Sequence, residues 1–245
     1  MYVKHNGLVL REAKYKESDR ILTIFTENEG IITAKARGAL KSGSKFSAGT
    51  QRLTYSEFTM SQRTDKFTIT EASVINGFDN IRTDLTLLSL GDYFTECVLS
   101  VLAENQPDRE MLRLMLNSLY ALDKCLYTPD KVKAAFELKL MCCSGYEPLT
   151  DYCPICGEEL KPPVKISLRD GSFSHRDCRG GVESFAISAG VFEDMRHIIS
   201  ADMKKLLSFF TDRGELDELS YVCEKYLLAH TGRSFGTLDY YKKLR

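Results

Sequence analysis

Two pairs of soft donors, Cys153-Pro154-Ile155-Cys156 and His175-Arg176-Asp177-Cys178, constrain this chain more than any other feature. Within each pair two residues separate the donors. At that spacing one tight turn can aim both side chains at a single tetrahedral ion. The intervening stretch, 157–174, is close to the separation expected of two zinc-ribbon knuckles. Three thiolates and one imidazole would fill all four positions of Zn²⁺ and leave none for water or substrate. The pattern therefore reads as structural zinc, with Cys153, Cys156, His175 and Cys178 as ligands, and it argues against a zinc enzyme. A turn-rich setting of Pro154, Gly157, Pro162, Pro163, Gly171, Gly180 and Gly181 cannot build much core of its own, and metal ligation is the usual substitute. Should His175 be a surface residue, Cys142 or Cys143 could be recruited as the fourth ligand. Cys97, Cys125, Cys142, Cys143 and Cys223 lie in apolar, helix-like runs and read as small buried hydrophobes. A deaminase site is excluded, because no His-x-Glu element accompanies the cysteines.

At 245 residues the chain can hold one large domain or two small ones. A hydrophobic content of 43% with 27% charged residues is that of a folded protein, so disorder is set aside. The net charge of -1 means that any nucleic-acid binding must come from local charge separation. Residues 1–7 have no apolar core of the kind a secretory signal needs, and no apolar run is long enough to cross a bilayer. A cytoplasmic protein, with thiolate–metal bonds rather than disulfides, is expected.

The first eighty or so residues read as strands. Leu8–Leu10, Arg20–Thr26, Ile31–Arg37, Tyr55–Met60 and Lys66–Ala72 are rich in β-branched and aromatic residues or alternate with period two. Glu27–Gly30 and Gln62–Asp65 read as turns. Five short strands suggest a closed barrel, which leaves no exposed edge. An OB-type barrel leads, with an SH3-like barrel as the alternative. Beyond Phe78 the pattern becomes helical, over Leu85–Ala103, Met111–Leu126, Pro129 up to Gly145, a segment capped by Ser188, Met203–Phe210 and Leu216–Ala229. The expectation is an OB-fold domain over 1–80 and an all-α domain over 81–245, interrupted at about 152–181 by a zinc-ribbon-like finger. The apolar faces before and after that insert are expected to pack together.

Between Gly30 and Ser56 the basic residues Lys35, Arg37, Lys41, Lys45 and Arg52 appear with no Asp or Glu among them. Interspersed Gly and Ser suggest a flexible basic loop leaving a barrel strand. On OB-folds such loops and the adjoining strand face bind oligonucleotides. Lys and Arg neutralise phosphates, and Phe46 or Tyr55 could stack on a base. Lys242, Lys243 and Arg245 read as a frayed solubilising tail. Catalysis finds little support: there is no Walker-type loop, Gly180-Gly181 is too short to cradle phosphate, and the four His residues offer few bases. A non-enzyme is expected.

In their order along the chain, several further stretches resemble the bacterial recombination mediator RecO. They are Gly7–Leu10 with Tyr15–Leu22, Thr26–Gly30, Ala34–Ala39, Leu138–Met141 with Gly145–Pro148 before Cys153–Gly157, and Arg233–Leu238. The resemblance covers the whole chain. It implies an OB-fold followed by a helical domain carrying a zinc-binding insert. It implies a non-enzymatic protein that binds single- and double-stranded DNA and anneals complementary strands. Its partners would be RecR and the C-terminal tail of single-stranded DNA-binding protein, and with RecR it would help load RecA onto coated DNA. By position, Lys35 and Arg37 match basic residues of the family's DNA-contacting face, whereas Lys41, Lys45 and Arg52 come from charge alone. Many zinc-bearing relatives have Cys where this chain has His175. For the acidic, apolar-ended tail, Lys131, Lys133, Lys139 and Arg113 are possible rims of a groove. Two other readings compete: a protein-interaction adaptor with a structural barrel, and an RNA-binding OB protein.

Overall fold

The computed structural model describes residues 1–64, 66–179 and 183–245. Asp65 of the expected turn and Gly180-Gly181 lie outside the described residues. The chain forms two compact units, Met1–Asp123 and Lys124–Arg245.

The first unit is built on five strands: β1 (Tyr2–Tyr15), β2 (Asp19–Thr26), β3 (Gly30–Ala36), β4 (Tyr55–Arg63) and β5 (Lys66–Asn76). They close in the order β1-β2-β3-β5-β4, with β4 returning to β1 and the one parallel pairing between β3 and β5. This five-stranded closed barrel is the OB-type architecture expected. Strand β1 is long enough to serve two partners, pairing β4 through Tyr2–Leu8 and β2 through Gly7–Tyr15, with a bulge between Val9 and Arg11. Period-two alternation sends Val9, Leu22, Ile24, Ile32, Ala34, Phe58, Met60 and Ile69 into one dry core. The same alternation turns Ile21, Thr33 and Lys35 outward, and Tyr15 is exposed at the end of β1, beyond the bulge. Three helices complete the unit: α1 (Asp79–Thr83), α2 (Leu85–Val101) and α3 (Arg109–Asp123). Helix α2 starts on an Asp84 side chain that accepts from the Thr86 and Leu87 amides.

The second unit contains α4 (Pro129–Cys143), β6 (Val164–Ser167), β7 (Ser172–His175), β8 (Phe185–Ile187), α5 (Ala189–Ser200), α6 (Arg213–Thr231) and α7 (Gly236–Leu244). Helix α4, before the insert, packs on both α5 and α6, which follow it. Ser188 caps α5 by accepting from the Val191 amide at 3.2 Å.

Three features of this unit correct the sequence reading. The finger is not merely turns: β6, β7 and β8 form a sheet in the order β7-β6-β8. It buries Val164, Ile166 and Phe173, and the Phe173 ring meets Phe192 of α5 at 5.1 Å. Met203–Phe210 is not a helix. Met203, Leu206 and Phe209 are buried at a spacing of three, which mimics helical periodicity. Yet the Asp202 carboxylate takes the Lys204 and Lys205 amides into a single turn, and the chain then runs on to the next cap at Asp212. The C-terminus is no frayed tail but helix α7, held by buried Leu238 and Tyr241. Its Lys242 pairs with Glu224 at 2.5 Å, and Arg245 pairs with Asp130 at 2.6 Å.

Gly171 ties the β6–β7 turn to α6. Its φ is +67°, and a Cβ there would collide with the Tyr226 hydroxyl, which itself donates to the Tyr146 carbonyl at 3.0 Å. Gly171→Ala is therefore expected to cost about 1–3 kcal/mol, from backbone strain and from displacing that ring. Urea denaturation checks it; an unchanged midpoint would show that the turn and the ring move apart freely.

Candidate metal centre and nucleic-acid interface

The cysteine insert brings four ligand atoms together. Cys153, Cys156, His175 and Cys178 place their donor atoms within 4.8 Å of one another. Cys142 and Cys143, the alternative ligands, are not part of this group. Backbone geometry explains the convergence. The Gly157 amide donates to the Cys153 carbonyl at 2.8 Å, the Cys153 amide donates to the Glu158 carbonyl at 2.8 Å, and Gly157 has a φ of +77°. That left-handed residue folds the Cys-x-x-Cys knuckle back on itself. A second turn, closed by the Cys178 amide on the His175 carbonyl at 3.1 Å, aims the other two donors.

The donors fit a cation. His175 Nε2 lies 3.1 Å from the Glu159 carbonyl, which accepts from an N–H on that nitrogen. Nδ1 is then left with a lone pair, facing Cys156 Sγ at 3.4 Å and Cys178 Sγ at 3.9 Å. The Lys161 amide also approaches Nε2, at the longer distance of 3.4 Å, and would require the opposite tautomer. The shorter distance and the sulfurs around Nδ1 favour the first, the arrangement typical of a metal-binding histidine. Desolvation raises the Cys153 thiol, but the amides of Cys156, His175 and Ile155 outweigh it and bring the group down to about 6. Cys178 is pushed up to about 11 by desolvation and by the Cys156 and Cys153 sulfurs. Crowded thiolates that repel one another are the setting a divalent cation relieves. The cluster can bind a metal ion.

On the barrel the structure divides the five basic residues selected from sequence. Lys35 and Arg52 are half-buried and paired with carboxylates distant in sequence: Lys35 with Asp19 at 3.0 Å, and Arg52 with Asp92 at 3.0 Å. The acid-free run is thus acid-free along the chain but not in space. Arg37, Lys41 and Lys45 are exposed and have no carboxylate partner among the described residues. They line a cleft of about 580 Å³, together with Gly38, Ser44, Phe46 and Thr70; Glu71 also borders it.

Hydrogen bonds and packing tie the loop to the barrel. Asp19 Oδ1 accepts from the Gly38 amide at 2.8 Å, and this bond, with Lys35 beside it, holds the Asp19 carboxyl below its usual value. Arg20 reaches the Ser47 carbonyl and the Thr50 hydroxyl, while Ala39 is buried and Phe46 packs on the barrel core. Successive turns, Lys41 on Gly38 and Ser44 on Lys41, keep the small residues at the surface.

The stacking residues named from sequence are otherwise engaged. Phe46 lies against the core, and the Tyr55 hydroxyl donates to Glu27 at 2.7 Å. Tyr15, which sequence reasoning missed, is 43% exposed at the end of β1, with Lys35 Nζ 4.7 Å and Lys16 Nζ 5.7 Å from its ring centre. The signal was the Tyr15-Lys16 dipeptide at a strand end, legible only once the register put it beside Lys35.

Two of the proposed rim residues belong to the core instead. Lys133 is buried between Glu137, at 2.8 Å, and Glu224, at 3.0 Å. Lys139 donates to the carbonyls of Ile199 and Ala201. Lys131 donates to the Phe209 carbonyl, and Arg113 remains exposed. No helix among the described residues is long and apolar enough to cross a membrane.

Comparison with known proteins decides the family. The family model described as "Recombination protein O C terminal" matches residues 82–239, and "Recombination protein O N terminal" matches 1–78. The chain belongs to the RecO family. The DNA repair protein RecO of Acetivibrio thermocellus is 35% identical over 244 residues, covering 99% of this chain and 97% of that protein. That of Alkaliphilus metalliredigens is 31% identical over 247 residues, with all of both chains covered. That of Caldicellulosiruptor saccharolyticus is 29% identical over 244 residues, covering 100% of this chain and 99% of that protein. Membership in RecO places the chain among DNA repair and recombination proteins.

Proposed function

We propose that this RecO-family chain is a non-enzymatic recombination mediator working in the cytoplasm on the bacterial nucleoid. It binds and anneals single-stranded DNA through its barrel and, with RecR, helps load RecA onto strands coated by single-stranded DNA-binding protein. The observation that carries the reading is the cleft of Arg37, Lys41 and Lys45, three exposed cations without carboxylate partners among the described residues, on a barrel whose outward face continues through Lys35 and Tyr15. Such a surface attracts phosphates without reading sequence. Gly38, Gly43 and Ser44 let a sugar-phosphate backbone approach closely, and Tyr15 offers a ring on which a base can stack for about 1–3 kcal/mol. Lys35 and Arg52, already paired, contribute less than the exposed three.

The metal is proposed to be Zn²⁺ in a structural role. Cys153, Cys156, His175 and Cys178 would hold it. A closed set of four protein ligands supplies folding energy and no reactive position.

Replacing Arg37, Lys41 and Lys45 together by Ala is expected to weaken single-stranded DNA binding for every sequence alike. The slope of log affinity against log salt should become shallower by about 2, since each neutralised phosphate accounts for about 0.7 of it. Lys35→Ala alone is expected to change the slope less. Fluorescence anisotropy across a salt series measures both. A triple variant that keeps its fold, affinity and slope would refute the barrel as the DNA platform.

A further inference from the structure

We infer that the first zinc-type knuckle is a docking surface for a basic, apolar protein segment, separate from the DNA surface of the barrel. Three apolar side chains stand out of the second unit here: Leu149 is 67% exposed, Tyr152 65% and Ile155 37%. Their exposure is built in. Residues 151–153 run against 158–160, with the Leu160 amide on the Asp151 carbonyl and the Cys153 amide on the Glu158 carbonyl. In that pairing Cys153 and Leu160 turn inward and are buried, so Tyr152 and Glu159, which pair across the bridge, must turn outward. At three-residue spacing, the chain keeps Leu149, Tyr152 and Ile155 within about 10 Å of their neighbours in the series.

Charge selects the occupant. No Lys or Arg occurs between Lys139 and Lys161, while Glu147, Asp151, Glu158 and Glu159 all fall in that stretch and all are exposed. Glu159 pairs with Lys161 at 3.1 Å; the other three have no cationic partner among the described residues. The finger's basic residues all follow that stretch: Lys161 pairs with Glu159, Lys165 donates to the Cys178 carbonyl, and Arg169, Arg176 and Arg179 lie on the β6–β7 turn and around the second knuckle. A negative rim around apolar side chains repels phosphate and disfavours an acidic peptide. It matches a segment in which Lys or Arg alternates with large apolar residues.

The test uses the full chain with its metal bound and two fluorescein-labelled peptides of about twelve residues. One alternates Lys and Arg with Leu and Phe; the other carries Glu in place of the cations. The basic peptide is expected to bind the unmodified protein, and the acidic one to bind at least tenfold more weakly. Combining Leu149→Ser, Tyr152→Ser and Ile155→Ser should weaken the basic peptide at least tenfold. Combining Glu147→Gln, Asp151→Asn and Glu158→Gln should weaken it at low salt and flatten its salt dependence. Single-stranded DNA affinity should be unchanged in both variants, which separates this surface from the barrel. If the apolar variant loses its metal, the charge variant decides alone. Equal peptide affinity in the variants and the unmodified protein overturns the proposal, and so does equal binding of the acidic peptide. Self-association abolished by the substitutions while peptide affinity stays unchanged would assign the surface to a second copy of the chain and overturn it as well.

Discussion

Lys133→Met is expected to destabilise the helical unit by about 3–5 kcal/mol, because it strips the cation from one fully buried carboxylate and one largely buried one. The Lys133 side chain is 2% exposed, Glu137 is 0% exposed and Glu224 is 9% exposed. Lys242 of α7 reaches Glu224 from the other side, so four residues on three helices share one network. Removing one charge leaves Glu137 buried without its Lys133 partner, whereas removing both members need not. Lys133→Met with Glu137→Leu is therefore expected to recover most of the loss, since well-packed apolar residues often match a buried pair. Urea denaturation of the single and double variants checks both statements.

The pH dependence of the network follows from its shifts. Burial opposes the Lys133 charge, but Glu137 and Glu224 outweigh it and raise its pKa above the usual 10.5. Its contribution is then complete below 10.5 and is lost as pH rises through the higher folded value. Burial likewise opposes the Glu224 charge, but Lys133 and Lys242 lower its pKa below the usual 4.5. Its contribution is complete above 4.5 and is lost as pH falls through the lower folded value. The stability the network provides should be level between these limits, and Lys133→Met should remove it across that whole window.

Cys153→Ser is expected to abolish metal binding. Elemental analysis of the unmodified chain should find about one zinc, and that of the variant close to none, because three remaining donors leave the tetrahedron open. Structural zinc binding supplies about 10–16 kcal/mol in small metal-dependent domains, so the finger should lose its ordered sheet even while the helices persist. Protease cleavage confined to the insert would report that loss. Cys142→Ser should leave the metal content unchanged, since Cys142 lies outside the ligand cluster. Full zinc in Cys153→Ser, or its loss in Cys142→Ser, would mean a different ligand set.

Much of this was legible in the sequence because it rests on local rules. Alternation identified the barrel strands, Thr128-Pro129 marked the start of α4, Ser188 marked α5, and the spacing of the cysteines marked the metal cluster. What was not legible depends on tertiary partners. Nothing near Lys133 in the chain announces Glu224, ninety-one residues away, so a core lysine read as a surface one. Lys35 and Arg52 read as free because Asp19 and Asp92 lie outside the acid-free run that made them conspicuous. The short strands of the finger escaped because each is only three or four residues long and is held by pairing with its neighbours and, for β7, by Phe173 against Phe192 of α5. Helix α7 was masked by its terminal lysines, although Leu238 and Tyr241 already stood at helical spacing.

Titrating a plain single-stranded oligonucleotide at a series of salt concentrations is the most direct measurement. It compares the unmodified chain with a folded variant carrying Arg37→Ala, Lys41→Ala and Lys45→Ala. Tight, sequence-indifferent binding by the unmodified chain, with a slope about 2 steeper than that of the variant, is the expected result. No binding at low salt, or the same slope for both proteins, would contradict the assignment of strand handling to the barrel.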